Sequence, residues 1–314
     1  MRLSIVVPCY NEEHVIEESA RQLVQVLDTL IQKGKVAANS FILFVNDGSS
    51  DKTWSIIETL HRNNLHINGL SLAINCGHQN ALLAGLMSVK DMCDAAISID
   101  ADLQDDISVI ENMVDAYQQG FDIVYGVRSS RKTDSFFKRA TAIMFYRLMT
   151  WLGAKSIYNH ADYRLMSQRS LQHLANYPER NLFLRGIIPT IGYRTTSVYY
   201  NRLERFAGKS KYPLRKMLNF AIDGITSFSV KPIRIISTMG FLILFVTLIM
   251  AGYTLISFFL GNTVEGWASL MLSLWFLGSV ILIAIGTIGE YIGKIYIEVK
   301  QRPRYNIETF LIHE

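Results

Sequence analysis

Along residues 1–126 one unit repeats: a short apolar run, a polar turn, then a stretch with apolar residues at helical spacing. The runs are 3–7, 41–45, 70–74, 95–99 and 123–125, and the helical segments open near Glu13, Lys52, Gln79 and Ile107. A strand covered on both faces reads as a continuous apolar run, and the helices between such strands do the covering. The pattern predicts an α/β domain with a mainly parallel sheet.

Near the C-terminus the pattern changes. Residues 235–260 and 266–289 contain no Asp, Glu, Lys or Arg, and each exceeds the roughly 20 apolar residues that carry a helix across a bilayer. Residues 261–265 join them, enough for an antiparallel helical hairpin. Lys209, Lys211, Arg215, Lys216, Lys231 and Arg234 precede the first stretch, and Lys294, Lys300, Arg302 and Arg304 follow the second. Positive charge marks the cytoplasmic side, so both ends are expected there. The domain reading is a catalytic domain at 1–211, a juxtamembrane segment at 212–234, a transmembrane hairpin at 235–289 and a cytoplasmic tail at 290–314. Residues 136–152 and 212–230 mix basic and aromatic positions at helical spacing and suit an interfacial helix as well as a packed one. Gly286, Gly289 and Gly293 form a stripe on which helices or subunits can pack, a route to a homo-oligomer.

Composition narrows the classes. The chain is 50% hydrophobic and 18% charged, which excludes disorder, and its net charge of +4 is too small and too dispersed to point to nucleic acid. Cys9, Cys76 and Cys93 lie far apart without a C-x-x-C spacing, as expected of buried thiols in a reducing compartment. No signal-peptide pattern precedes the first run, so the N-terminal part is expected in the cytoplasm. The membrane spans carry no central ionisable residue, which argues against transport.

Candidate chemistry falls at the strand ends, where open α/β sheets bind ligands. Pro8-Cys9-Tyr10-Asn11-Glu12-Glu13 follows the first run, and Asn46-Asp47-Gly48-Ser49-Ser50-Asp51 the second. Asp51 reads as a helix cap. Asp47 has no such local role and can accept a base N–H, Tyr10 offers a ring for stacking, and Glu12 can accept ribose hydroxyls. Asp100-Ala101-Asp102-Leu103-Gln104-Asp105-Asp106 follows the fourth run. On an extended segment Asp100, Asp102 and Gln104 point the same way and can converge on a hard cation, Mg²⁺ or Mn²⁺, bridging a diphosphate. Asp105 and Asp106 read equally as a solvated turn capping the next helix or as part of the acidic site. Gly208-Lys209-Ser210 lacks the earlier glycine of a phosphate loop, no G-x-G-x-x-G follows a strand, and no G-x-S-x-G is present.

The segments VVPCYNEE, VNDGSSDKT, DADLQD and Gly126-Val127-Arg128 resemble the GT-A catalytic domain of family 2 glycosyltransferases. ADYRLM at 161–166, PERNLF at 178–183, ERFAGKSKY at 204–212, GITSFS at 224–229 and GEYIGKIYIEVK at 289–300 resemble the polyprenyl-phosphate glycosyltransferases, bactoprenol glucosyltransferases in particular and dolichol-phosphate mannose synthases more distantly. The resemblance covers nearly the whole chain. It implies inverting transfer of a hexose from a nucleotide-sugar, UDP-glucose before UDP-N-acetylglucosamine before GDP-mannose, to undecaprenyl or another polyprenyl phosphate at the inner membrane. It implies that Pro8, Tyr10, Glu12 and Asp47 hold the nucleoside, and that Asp100, Asp102 and Gln104 hold the metal. By the same resemblance Asp162 stands beside donor sugar and acceptor, orienting them, with a general-base role as the alternative, and Arg128, Arg131, Arg205, Lys209 and Lys211 bind the acceptor phosphate. His78 stands where related sequences carry Lys or another basic residue, and no catalytic role is assigned to it. A processive synthase would carry Q-x-x-R-W, which is absent around Trp54, Trp151, Trp267 and Trp275. A catalytically silent membrane scaffold is the alternative from another class.

Overall fold

The computed structural model describes residues 1–102, 104–129, 160–180, 182–201, 231–260 and 266–313. Arg131, Arg205, Lys209, Lys211 and the segments 136–152 and 212–230 lie outside them. The described residues fall into a sheet-bearing unit, which includes the stretch after Arg302, and a helical unit that ends at Gln301.

The sheet-bearing unit is built from β1 (Leu3–Cys9), α1 (Ile16–Gln32), β2 (Phe41–Asn46), α2 (Thr53–Asn63), β3 (Ile67–Leu72), α3 (His78–Val89), β4 (Ala95–Ser98), α4 (Ile110–Gln118) and β5 (Ile123–Arg128). There follow β6 (His160–Ser167), α5 (Gln168–Leu174), α6 (Leu184–Ile187), β7 (Thr195–Tyr200) and, after the helical unit, β8 (Ile307–Leu311). The sheet order is β7-β5-β6-β4-β1-β2-β3-β8. Strands β4, β1, β2 and β3 run parallel, as do β5 and β7, while β6 and β8 are antiparallel to their neighbours.

Every residue of β1, β2, β3 and β4 is buried, as a strand sandwiched between helical layers requires. Helix α1 buries Ile16, Ala20, Leu23, Leu27 and Leu30, one stripe at helical spacing, and leaves its charged residues outside.

Strand β3 opens at Ile67, three residues before the apolar run suggests. Asn68 and Gly69 look like a turn, yet both are paired. Asn68 Oδ1 accepts the His313 N–H at 3.1 Å, and a Cβ on Gly69 would lie 2.7 Å from Ile57 of α2. The tail and the helix packed above therefore explain a polar residue and a glycine inside a central strand. Ile74, expected within the strand, is exposed beyond its end.

Helices α7 (Lys231–Phe259) and α8 (Trp267–Lys300) form the helical unit and contact one another. They span about 44 and 51 Å at 1.5 Å per residue, more than the roughly 30 Å of a bilayer's hydrocarbon core. Many of their described apolar side chains are exposed, Phe241 at 74% and Leu282 at 71% among them. Among the described residues, Phe276–Lys300 is the helical stretch singled out as long and apolar enough to cross a membrane. Helix α8 runs eleven residues past Gly289, where Glu290, Lys294 and Glu298 fall at i, i+4 spacing that favours continuation.

Candidate active site

The carboxyl ends of β1 and β2 are laced together. Asn11, with φ 53°, accepts the Ser50 N–H at 2.9 Å, and its own N–H donates to Ser49 Oγ at 3.0 Å. Asp51 Oδ1 accepts the Thr53 N–H at 3.0 Å at the start of α2, where Lys52 and not Asp51 holds the N-cap position, while its Oδ2 accepts the Glu13 N–H at 3.2 Å. Glu12 donates its N–H to Thr53 Oγ1 at 2.9 Å, and its carbonyl accepts from Val15 and Ile16 at the start of α1. Tyr10 is 47% exposed, a ring open to solvent at the strand end. Pro8 is buried in β1, beyond its pairing with β4, on the side where its missing N–H meets no ladder.

Asp47 departs from expectation. It does have a local role, because Oδ1 accepts the Cys76 N–H at 2.7 Å and Oδ2 the Gly77 N–H at 3.0 Å. Burial pushes its carboxyl above the ordinary value, and the two amides work against that push. The residue ties the β2 end to the corner between β3 and α3. Gly48 makes the approach possible, with φ +61° and a position where a Cβ would lie 2.5 Å from the Asn75 nitrogen. Gly48→Ala is expected to cost roughly 1–3 kcal/mol, because the strain falls on backbone that cannot swing aside. Thermal unfolding of the variant beside the unmodified chain checks this.

The acidic stretch follows β4. The stretch is not the extended one expected: Ala101 and Asp102 form a turn, closed by the Gln104 N–H on Asp102 Oδ1 at 3.2 Å. Three side chains therefore do not align by simple alternation, and no cluster of three His, Cys, Asp or Glu is preformed among the described residues. Asp100 Oδ1 nevertheless leaves room for a cation, since it is buried without a hydrogen-bond partner, with His78 Nε2 3.5 Å away. Burial pushes its carboxyl up, His78 works against this, and Asp162, Asp105 and Asp102 add to the rise. Mg²⁺ and Mn²⁺ sites built from one or two carboxylates take their remaining oxygens from water and substrate phosphates. Asp100 and Asp102, with Gln104 behind them, fit that donor set.

Asp106 caps the short turn at Ile107–Val109 through the Ser108 N–H at 2.9 Å. Of the two readings of Asp105, the solvated turn does not hold. It is buried and accepts from Arg128 Nη2 at 2.9 Å and from the Tyr200 hydroxyl at 2.6 Å. The charge of Arg128 is thereby engaged within the fold, so a phosphate contact from it is shared with this pair.

At the third end, β6 carries the ADYRLM segment. Alternation puts Asp162 and Arg164 on one face, and the Arg164 guanidinium meets the Asp162 carboxylate. Arg185, at the start of α6, adds a two-pronged contact, Nε to Oδ1 at 3.2 Å and Nη2 to Oδ2 at 2.9 Å. His78 Nε2 lies 3.6 Å from Asp162 Oδ2 and 3.5 Å from Asp100 Oδ1. Burial opposes ionisation of Asp162, but Arg185, His78 and Arg164 outweigh it and hold the carboxyl well below the usual carboxylate range. The sequence reading names neither Arg164 nor Arg185 as a site residue. Arg164 carries a signal, two residues from Asp162 on a strand. Arg185 carries none, because folding alone brings it across the gap of 23 positions.

The structure thus gathers Asp100 and Asp162 around His78, with Asp47 on the preceding loop. Comparison with known proteins gives a consistent picture. Residues 4–175 match the family model described as glycosyl transferase family 2. An uncharacterized glycosyltransferase, YkoT, of Bacillus subtilis is 57% identical over 99% of this chain and 93% of its own length. The SfII prophage-derived bactoprenol glucosyl transferase of Shigella flexneri is 41% identical over 98% of each chain, and a prophage bactoprenol glucosyl transferase homolog of Escherichia coli is 40% identical over 98% of this chain and 99% of its own. With a GT-A-like, mainly parallel sheet and a family match across more than half its length, the chain belongs to the family 2 glycosyltransferases.

Proposed function

We propose that the chain is an inverting, metal-dependent glycosyltransferase that moves a hexose from a UDP-sugar to the phosphate of a membrane polyprenol such as undecaprenol, with glucose as the first donor and N-acetylglucosamine the second. The observation that carries this reading is the near-full-length similarity to proteins named bactoprenol glucosyl transferases. Two features of the chain support it.

The first is topological. Strands β1–β7 precede the helical unit and β8 follows it, yet all pair in one sheet. Any crossing by the intervening helices must therefore take an even number of passes, and an α7–α8 hairpin with basic residues at both ends satisfies this with the sheet and both termini in the cytoplasm. The second is electrostatic. Arg164, Arg185 and His78 keep Asp162 ionised and engaged, which suits orientation and not proton abstraction.

The reaction needs no base. One oxygen of the acceptor phosphate, already anionic at neutral pH, attacks the sugar C1, the bond from C1 to the UDP oxygen breaks, and UDP leaves with that electron pair. A divalent ion on Asp100 and Asp102 would supply charge to the leaving diphosphate. Tyr10, Glu12, Asp47 and the backbone at Pro8 hold the nucleoside, Asp162 orients the reacting centre, and Arg128, Arg131, Arg205, Lys209 and Lys211 gather the acceptor phosphate. Positioning and charge stabilisation carry the rate.

Membranes holding the chain, given undecaprenyl phosphate and each donor in turn, are expected to yield a lipid one hexose heavier with UDP-glucose, read by mass spectrometry and lost with EDTA. A lipid product from GDP-mannose alone would reassign the donor. No lipid product from any of UDP-glucose, UDP-N-acetylglucosamine and GDP-mannose would overturn the reading.

A further inference from the structure

Four consecutive residues at the corner between β3 and α3 together touch three parts of the site. The Cys76 and Gly77 amides hold the two oxygens of Asp47, at 2.7 and 3.0 Å. His78 Nε2 stands between Asp100 Oδ1 and Asp162 Oδ2, at 3.5 and 3.6 Å. Gln79 Oε1 accepts the Leu184 N–H at 2.9 Å, and Leu184 opens the helix whose Arg185 grips Asp162. The corner is itself pinned. Gly77 takes φ 87° to turn the chain into α3, and Asn306, next to β8, accepts the Ala73 N–H at 3.0 Å.

We infer that His78 is a positioning residue that couples the donor end of the site to the acceptor end, holding Asp100 towards the cation and Asp162 towards the reacting centre. The inference rests on the transferase reading above. Its geometric basis is a single ring nitrogen between two carboxylates from different strands, β6 and the end of β4. These carboxylates repel one another, and Arg185, which grips Asp162, also bears electrostatically on Asp100. Because the ring belongs to the first residue of α3, its place is set by the amides that bind Asp47. A nucleotide that engages Asp47 therefore bears on the same corner that spaces Asp100 from Asp162. His78 is not a catalytic residue in this account; it acts through the two acids.

The test uses the full-length chain in detergent with saturating UDP, with free Mn²⁺ followed by electron paramagnetic resonance. His78→Ala is expected to weaken Mn²⁺ binding by about 10–100-fold, the usual effect of losing a residue that orients a metal ligand. The kcat for transfer should fall with it. UDP affinity measured in EDTA is expected to stay within about twofold of the unmodified chain, because the Asp47 contacts are to backbone amides. His78→Gln, whose amide nitrogen reaches the place of Nε2, is expected to recover most of the Mn²⁺ affinity. Unchanged Mn²⁺ affinity in His78→Ala would overturn the inference alone. Loss of UDP affinity in EDTA in step with Mn²⁺ affinity, or no recovery by Gln, would also overturn it by reducing the residue to a support of the corner's fold. An unmodified chain that binds UDP but no Mn²⁺ would overturn the metal reading and this inference together.

Discussion

Asp102→Asn is expected to abolish sugar transfer, by roughly a thousandfold or more, while leaving the fold in place. The magnitude follows from the metal's contribution of several kcal/mol of charge stabilisation, each 1.4 kcal/mol or so being a decade in rate. The substitution is clean because of the turn: Asp102 Oδ1 accepts the Gln104 N–H at 3.2 Å, and an Asn oxygen can accept the same bond. What is lost is negative charge at the place where a divalent ion would bind. The measurement is transfer of labelled sugar to lipid, with the melting temperature as control and a Mn²⁺ titration alongside. An active Asp102→Asn enzyme would reject the metal assignment. An inactive one that still binds Mn²⁺ would move the role of Asp102 from the ion to the donor.

Much of this site is legible because strands leave an unambiguous record. The runs at β1, β2, β4 and β5 are apolar because both faces are covered, so their polar followers, Asp47 and Asp100, mark the strand ends directly. Where the record fails, a distant segment intervenes. Asn68 and Gly69 hide the start of β3, since only the tail and α2 explain them. Strand β8 has a mixed exposed and half-buried pattern typical of an edge, and nothing local says which strand it will join. Strand β6 reads as a motif before it reads as a strand, because its polar residues face a buried ion-pair cluster instead of solvent. The same cause hides Arg185, a cation whose partner lies on another element. His78 is visible as an unusual residue, but its position between two carboxylates depends on three elements meeting, which no spacing encodes.

The buried cluster behind Asp162 predicts a separable effect on stability and activity. Arg164 is 1% exposed, its Nε and Nη1 have no hydrogen-bond partner among the described residues, and its remaining amino group meets Asp162. Burial depresses its pKa, and the neighbouring Asp162 carboxylate is what favours the charged form. Asp162→Ala would leave that guanidinium in a dry interior without a counter-charge, a change that typically costs about 3–5 kcal/mol. At about 2–4 °C per kcal/mol for a domain of this size, the melting temperature should fall by roughly 10 °C. Adding Arg164→Met removes the stranded charge while keeping an apolar side chain of similar length, so the double variant is expected to regain most of that loss. Transfer is not expected to return, because the carboxylate proposed to orient the reacting centre is still missing. Circular dichroism melts and lipid-product assays on the two single variants and the double variant separate the contributions. Recovery of both stability and transfer in the double variant would show that Asp162 serves only to neutralise Arg164, and orientation of the reacting centre would then fall to His78, Arg185 or the metal-bound diphosphate.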